Sequence, residues 1–184
     1  MKKEKDLFIK TIENNKYVGV WDGAQELYRI ARKSDNLIGG YIERLSNLSE
    51  YGNCFVFGDA EISDNATVSG DAIVYDNARI SDNAIVSGNA EIFDNARIYN
   101  NSRIFDNARI FDNAIVSDNS RISGNAKIFG DARIYNNAKV FDNAIVSGNS
   151  RIYNNAIVSG GARIYDNVIV FDNAIVSYKK NGEK

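Results

Sequence analysis

Residues 90–119 read AEIFDN ARIYNN SRIFDN ARIFDN AIVSDN, five six-residue units that keep the same character at each position. Followed outward in both directions, the pattern runs without insertion or deletion from Cys54 to Lys179, which makes 21 consecutive hexapeptides. Self-similarity at a fixed period has to be read before any local secondary-structure signal. Position one is Ala in 16 units, Ser at 102, 120 and 150, Cys at 54 and Val at 168, while position three is Ile or Val in all 21. Residues two apart on a strand point the same way, so each unit offers a three-residue strand with one small and one branched side chain facing inward. Positions two and four then face outward. Positions five and six are Gly, Asp or Asn in nearly every unit, residues that tolerate left-handed backbone or close turns with their own side chains. Each unit is a short strand followed by a corner.

Strands this short bury their inward face only by stacking on neighbours. Three units per turn give an 18-residue coil that closes a triangular prism, and 21 units make seven coils. With parallel neighbours about 4.8 Å apart, the rod is on the order of 30 to 35 Å long. Its interior holds only the small and the branched rows, each branched residue contributing roughly 1.5 to 3 kcal/mol of burial against its ordering entropy. Stacking makes that sum cooperative along the rod. Asn fills position six in 16 units, and amides repeated at the coil spacing can hydrogen-bond up the stack as ladders. The expected fold class is all-β, a parallel β-helix of about seven regular coils.

The hexad small-x-[Ile/Val]-x-turn-turn resembles the hexapeptide-repeat left-handed β-helix family over about two thirds of the chain. The resemblance implies a left-handed winding, an exception to the right-handed crossover rule that spacing alone does not supply. Gly39-Gly40-Tyr41-Ile42-Glu43, Asn47-Leu48-Ser49 and Gly52-Asn53-Cys54 are similar to the entry motif of bacterial and phage hexapeptide proteins. Those proteins are often labelled as candidate transferases and their function is generally unassigned, so this likeness transfers no activity.

Residues 1–53 differ in composition and hold the only Trp and Met. Asn36 to Asn53 is itself 18 residues and reads as an irregular first coil. Upstream, Lys16 to Trp21, the Asp22-Gly23 pair and Glu26 to Arg32 predict a hairpin. A helix over Ala24 to Arg32 is the alternative, since Ala24, Leu27, Tyr28 and Ala31 would share one face. Either arrangement caps the open end of the prism, where unpaired strand edges invite polymerisation. At the other end Tyr178, Lys179, Lys180 and Lys184 break the repeat as a charged stop. The expected organisation is a cap and first coil over 1–53, the β-helix over 54–179 and a tail over 180–184.

Composition narrows the chemistry. The 184 residues are 44% hydrophobic and 25% charged, as for one soluble domain, but His and Pro are absent, Cys occurs once and Asn 25 times. Without imidazole there is no Ser-His or Cys-His nucleophile and no histidine metal site. A single Cys forms no internal disulfide, and Cys54 sits at an inward small-residue position, so it reads as core rather than nucleophile. A net charge of −2 argues against a nucleic-acid coat or a membrane-surface binder. No apolar run approaches the roughly 18 residues of a spanning helix, and the start MKKEKDLFIK lacks a signal-peptide core. The expected location is cytoplasmic.

Three outward features invite function. One face reads Glu61, Arg79, Arg97, Ile115, Arg133, Arg151, Ile169 at position two and Ser63, Ser81, Tyr99, Ser117, Tyr135, Tyr153, Phe171 at position four. Arg97 with Tyr99, Arg133 with Tyr135 and Arg151 with Tyr153 therefore form recurring guanidinium and phenol pairs, suited to phosphates and stacked bases. The plainer reading is a solvated face whose Arg residues bond to corner Asp residues. On a second corner Phe57, Tyr75, Phe93, Phe111, Phe129 and Tyr165 form a stripe interrupted only by Ser147. It reads as a structural ring ladder or as an oligomer contact centred on Phe93, Phe111 and Phe129. Seven outward Ile residues add to the case for association, and the family resemblance implies a trimer. Asp76, Asp94 and Asp112 stack on one corner, each neighbouring pair repelling by roughly 1 kcal/mol in water. A cation such as calcium could relieve this, but screened turn carboxylates explain it as well, and neither a metal nor a cofactor is expected.

Acyltransferases of the resembled family generally use a catalytic His and loops extruded from the prism. This chain has no His and no insertion between its units. The reading is therefore non-enzymatic: a protein that captures a phosphate-bearing small molecule, with sequestration of a nucleotide signal in a phage setting as one form of that role. The alternatives are a scaffold rod that displays its faces to protein and an acyltransferase-like enzyme.

Overall fold

A computed structural model describes residues 10–178. Strands β1 (Thr11–Glu13), β2 (Tyr17–Asp22), β3 (Leu27–Arg32) and β4 (Leu37–Ile42) form an antiparallel meander. Strand β4 then pairs in parallel with Glu61–Ile62 and opens the solenoid. From there each strand pairs with the one 18 residues later, giving three parallel sheets and about eight turns. The first face runs from β4 through Glu61–Ile62 to Ile169–Val170, the second from Thr67–Val68 to Ile175–Tyr178, and the third from Phe55–Val56 to Arg163–Ile164. Most repeat strands pair over positions two and three only, a residue shorter than the inward pattern implies. The peptides at position six are already turning into the corner.

The rows at positions one and three are the core. From Cys54 to Ala156 they are essentially solvent-free, Ala or Ser alternating with Ile or Val. The corners explain the rest of the repeat. Every residue at position five from Gly58 to Asp172 has a positive φ, whether it is Gly, Asp or Asn, and a hydrogen bond from position one to the position-four carbonyl closes many of these turns. Such a φ is costly for other side chains, which is why only three residue types occupy the position. The Asp side chains add a second bond: Asp94 accepts the backbone N–H of Asp112 at 3.2 Å and Asp112 that of Gly130 at 2.9 Å. The stacked carboxylates of Asp76, Asp94 and Asp112 thus face backbone donors, and no metal-binding cluster occurs among the described residues. At position six, Asn89, Asn107, Asn125 and Asn143 form a continuous amide ladder at 3.1 to 3.2 Å per step.

Residues Ala24 to Arg32 form no helix. Tyr28 and Ile30 are buried on alternate positions of β3, so burial against the first coil selects a period of two over the helical face. Asp22 Oδ1 accepts the Ala24 N–H at 2.9 Å and shapes the hairpin turn. The entry residues also find their reasons. A Cβ on Gly39 would lie 2.4 Å from the Val56 carbonyl oxygen, and one on Gly40 would lie 2.5 Å from that of Ala60. Asn47 is buried and donates to the carbonyls of Asp64 and Ala66 at 3.1 and 2.8 Å. Tyr17 donates its hydroxyl to the Cys54 carbonyl at 2.6 Å, which ties the meander to the first regular unit and confirms Cys54 as core. Burial, reinforced by Cys54, drives the Tyr17 phenol far above its ordinary value. Residues 1–9, Lys179, Lys180 and Lys184 lie outside the described residues.

Ile110 is fully buried at mid-rod. Ile110→Asp places an unpaired carboxylate in that core, and we expect the variant to lose its cooperative thermal transition by circular dichroism, whereas Ile110→Val retains it.

Candidate functional site

Position two of the first face projects outward because positions one and three point into the core. Arg133 and Arg151 are register neighbours one coil apart. Both guanidinium residues are exposed, and neither forms an ion pair among the described residues. The ion pairs that join position-two residues lie elsewhere: Arg79 with Glu61 at 3.3 Å, and Arg109 with Glu91 at 2.8 Å, the latter without hydrogen-bond alignment. The expected bonds from the site Arg residues to corner carboxylates do not form.

An open groove of about 440 Å³ runs along the corner where the third face passes into the first. Asp131, Asn149 and Asn167 line one side, and Arg133, Arg151 and Ile169 line the other. The corner residues were legible in principle, since position six precedes position two by two residues and projects beside it. In the sequence, however, Asn149 and Asn167 read as ladder amides and Asp131 as a turn carboxylate. Of the six predicted site residues, Arg133 and Arg151 line this groove, and Tyr135 and Tyr153 stand on the same two coils outside it. Arg97 and Tyr99 do not join them: Arg97 pairs with Arg79 and Ile115, and Ile115 separates it from Arg133.

The tyrosines take a different role from the arginines. The Tyr135 and Tyr153 rings stack at 5.0 Å and 6°, and Tyr153 stacks on Phe171 at 5.7 Å and 16°. These rings line the far side of the strand rather than the groove, so the guanidinium and phenol rows are parallel and do not form one cleft. Burial pushes the Tyr135 phenol above its ordinary value, Tyr153 adds to the rise, and Arg151 and Arg133 oppose it. The phenol is thus a neutral hydrogen-bond donor at physiological pH.

The third-face stripe is a ring ladder. Tyr75, Phe93, Phe111 and Phe129 stack at 4.8 to 4.9 Å within 4° of parallel, and each ring is half-buried by its neighbours. Larger apolar exposure lies on the last coil, where Ile169 is 50% and Ile175 69% exposed.

A three-sided stack of hexapeptide coils with buried small and branched rows defines a parallel β-solenoid. The YdcK β-solenoid repeat model matches residues 60–76, 78–91, 102–118, 108–124, 132–148 and 162–178. The chain belongs to the hexapeptide-repeat β-helix proteins. No curated protein matches it. Among solved structures it is similar to a candidate acetyltransferase from Bacillus cereus, with 18% identity and a TM-score of 0.50 over 66% of this chain and 74% of that one. It also resembles a mutant GDP-perosamine N-acetyltransferase from Caulobacter crescentus in complex with CoA and GDP-perosamine. That match has 16% identity and a TM-score of 0.42 over 54% of this chain and 49% of the other. The acetyltransferase domain of PglB from Neisseria gonorrhoeae, in complex with acetyl coenzyme A, matches at 16% identity and a TM-score of 0.39, with 63% and 53% coverage. The chain thus spans about half the length of the Caulobacter and Neisseria proteins. At these identities the likeness is one of fold. Among the described residues no helix is long and apolar enough to cross a membrane.

A raised tyrosine pKa means that folding favours the protonated phenol, so the stability it contributes is present below the unfolded value near 10 and is lost as pH rises through the folded value. For Tyr135 we expect alkaline absorbance titration to show an upward shift that Tyr153→Phe reduces and Arg151→Ala increases.

Proposed function

We propose that the chain is a non-enzymatic binding protein that captures a compact phosphate-bearing ligand in the Arg133–Arg151 groove. The observation that carries this reading is the pair of adjacent, exposed guanidinium groups with no ion-pair partner, bordering a groove lined by the Asn149 and Asn167 amides, with the Asp131 carboxylate in the same lining. Paired Arg residues suit bidentate recognition of phosphate oxygens, and Asn149 and Asn167 offer both donors and acceptors at the same rim. The net charge of −2 favours a few directed contacts over general polyanion attraction. A nucleotide signal is one ligand of this chemistry. The groove is open on one side, and a wall from a second copy would raise affinity by excluding water. The missing His and the unbroken repeat support binding without acyl transfer.

Each charge-assisted bond contributes roughly 1.5 to 3 kcal/mol, so removing two should weaken binding at least a hundredfold, as an order of magnitude. Calorimetry with cyclic and linear nucleotides on the parent and on Arg133→Ala with Arg151→Ala tests the reading. Equal binding by both proteins would sink it, as would acetyl transfer from acetyl coenzyme A that a point mutation abolishes.

The scaffold reading draws on the apolar exposure of the last coil and on the ring ladder. It includes self-association through Phe93, Phe111 and Phe129. Sedimentation of the parent should then show an oligomer that Phe111→Glu weakens while the chain stays folded, and a parent that is monomeric at micromolar concentration removes it.

A further inference from the structure

The second face carries a different arrangement. At position two, Arg103, Arg121 and Lys139 occupy three successive coils in direct register. All three are exposed, and none has an ion-pair partner among the described residues. This is the longest uninterrupted run of like charge on any face, since Ile115 and Ile169 break the first face and Glu91 the third. At position four of the same coils stand Phe105, Ser123 and Phe141.

From Tyr75 to Phe129 and from Tyr135 to Phe171, rings on successive coils stack at 4.8 to 5.7 Å, whereas Phe57 packs edge-on against Phe55 instead. Phe105 and Phe141 have no ring partner among the described residues, because Ser123 replaces the rung between them. Two coil spacings separate the flanking residues by about 9.6 Å, room for one planar group at the spacing the other ladders use. Two other serines sit between aromatic neighbours. Ser117, between Tyr99 and Tyr135, is 3% exposed, and Ser147, between Phe129 and Tyr165, is 6% exposed. Their gaps are covered, whereas Ser123 is only partly buried.

The corner that leads into this face is also altered there. At many corners position six donates its N–H to the position-five carbonyl one coil ahead, as Asn83 does to Asn100 at 3.0 Å, although Asn65, Asp131, Asn149 and Asn155 do not. Asn137 instead donates to Asp118, one coil behind, at 2.9 Å. Asn119 and Asn137 are the position-six residues whose φ is positive, so their peptides are turned over relative to the other corners. The backbone N–H groups of Asn101 and Asn119 have no protein acceptor, a state they share with Asn65, Asp131, Asn149 and Asn155, and at Asn119 the peptide is also turned over. Both residues are exposed, and they precede Arg103 and Arg121 by two positions.

We propose that the second face holds a separate site for a planar aromatic polyanion, by its chemistry a nucleoside di- or triphosphate. The ring enters the missing rung over Ser123, between Phe105 and Phe141. Its phosphates lie along Arg103, Arg121 and Lys139 and accept from the free N–H groups of Asn101 and Asn119. Rings stack on bases without regard to sequence, and cations beside them hold the phosphates. The site shares no residue with the Arg133–Arg151 groove and does not rest on it.

The test is calorimetry on the full chain carrying Arg133→Ala and Arg151→Ala, which silences the first face, with ATP, tripolyphosphate and adenosine as probes. We expect ATP to bind more tightly than either of the others. Ser123→Phe fills the rung with the residue its neighbours already carry, so it should keep or raise the melting temperature while weakening ATP at least tenfold and leaving tripolyphosphate within twofold. Arg121→Glu should weaken both ATP and tripolyphosphate at least tenfold. The proposal is overturned if ATP fails to bind the silenced chain, if Ser123→Phe binds ATP as before, or if it weakens tripolyphosphate as much as ATP. The first-face reading stands or falls on its own variants.

Discussion

The left-handed backbone at position five is the constraint on which the prism depends. A non-glycine residue there costs roughly 1 to 2 kcal/mol, and the chain accepts that cost at corner after corner, from Asp64 to Asp172. What offsets it is local and periodic. The turn hydrogen bond closes each of many corners, and the Asp carboxylate caps the corner of the next coil, as Asp82 does for Asn100 at 3.0 Å. If one corner opened, the following strand would slip, and a slip of one residue would turn its Ile outward. Corner chemistry and core burial are therefore a single condition.

That condition leaves only positions two and four free to vary. Inward rows are held to small and branched residues, and corners to Gly, Asp and Asn, so recognition can be written only on the outward rows. At position four the free choice is between a ring and a serine, and rings stack from Tyr75 to Phe129 and from Tyr135 to Phe171, while a serine interrupts the ladder. At position two it is between charge and Ile in all units but two, which carry Phe55 and Thr67. Like charges in register repel by about 1 kcal/mol per neighbouring pair in water. Pairing Arg79 with Glu61 removes that cost, yet the chain omits the same remedy at Arg133–Arg151 and along Arg103, Arg121 and Lys139. Like charge left without a partner adds repulsion to the rod, and these runs are where the two proposed anion sites lie.

How much of this was legible in the sequence follows from which interactions repeat. The coil length, the three faces, the buried rows and the amide ladders could all be read because each is enforced 18 residues later. The capping meander does not repeat, and there the helix pattern of Ala24, Leu27, Tyr28 and Ala31 competed with the hairpin until burial of Tyr28 and Ile30 against the first coil decided it. At the candidate site the rows of Arg and Tyr were visible, but their mutual disposition was not. Pattern gives the side on which a residue projects, whereas the stacking of Tyr135 on Tyr153, away from the groove, depends on rotamers. The turned peptides at Asn119 and Asn137 are less legible still, since Asp118-Asn119 has the same two residues as corners that keep the regular turn.

A prism of this kind presents flat faces, and that shapes what its surface groups can do. Catalysis requires groups that stabilise a transition state more than the bound substrate, in a site that excludes water. An insertion between coils would supply walls for such a site, and none interrupts residues 54–178. What a flat face does supply is spacing. Successive coils set side chains about 4.8 Å apart in register, a ruler fixed by backbone hydrogen bonds and insensitive to the side chains it carries. The backbone at that interval needs no ordering when a ligand arrives, so the entropic cost is confined to the side chains that meet it. Rigid spacing of this kind suits recognition of a repeated feature, such as successive phosphates or a ring between rings.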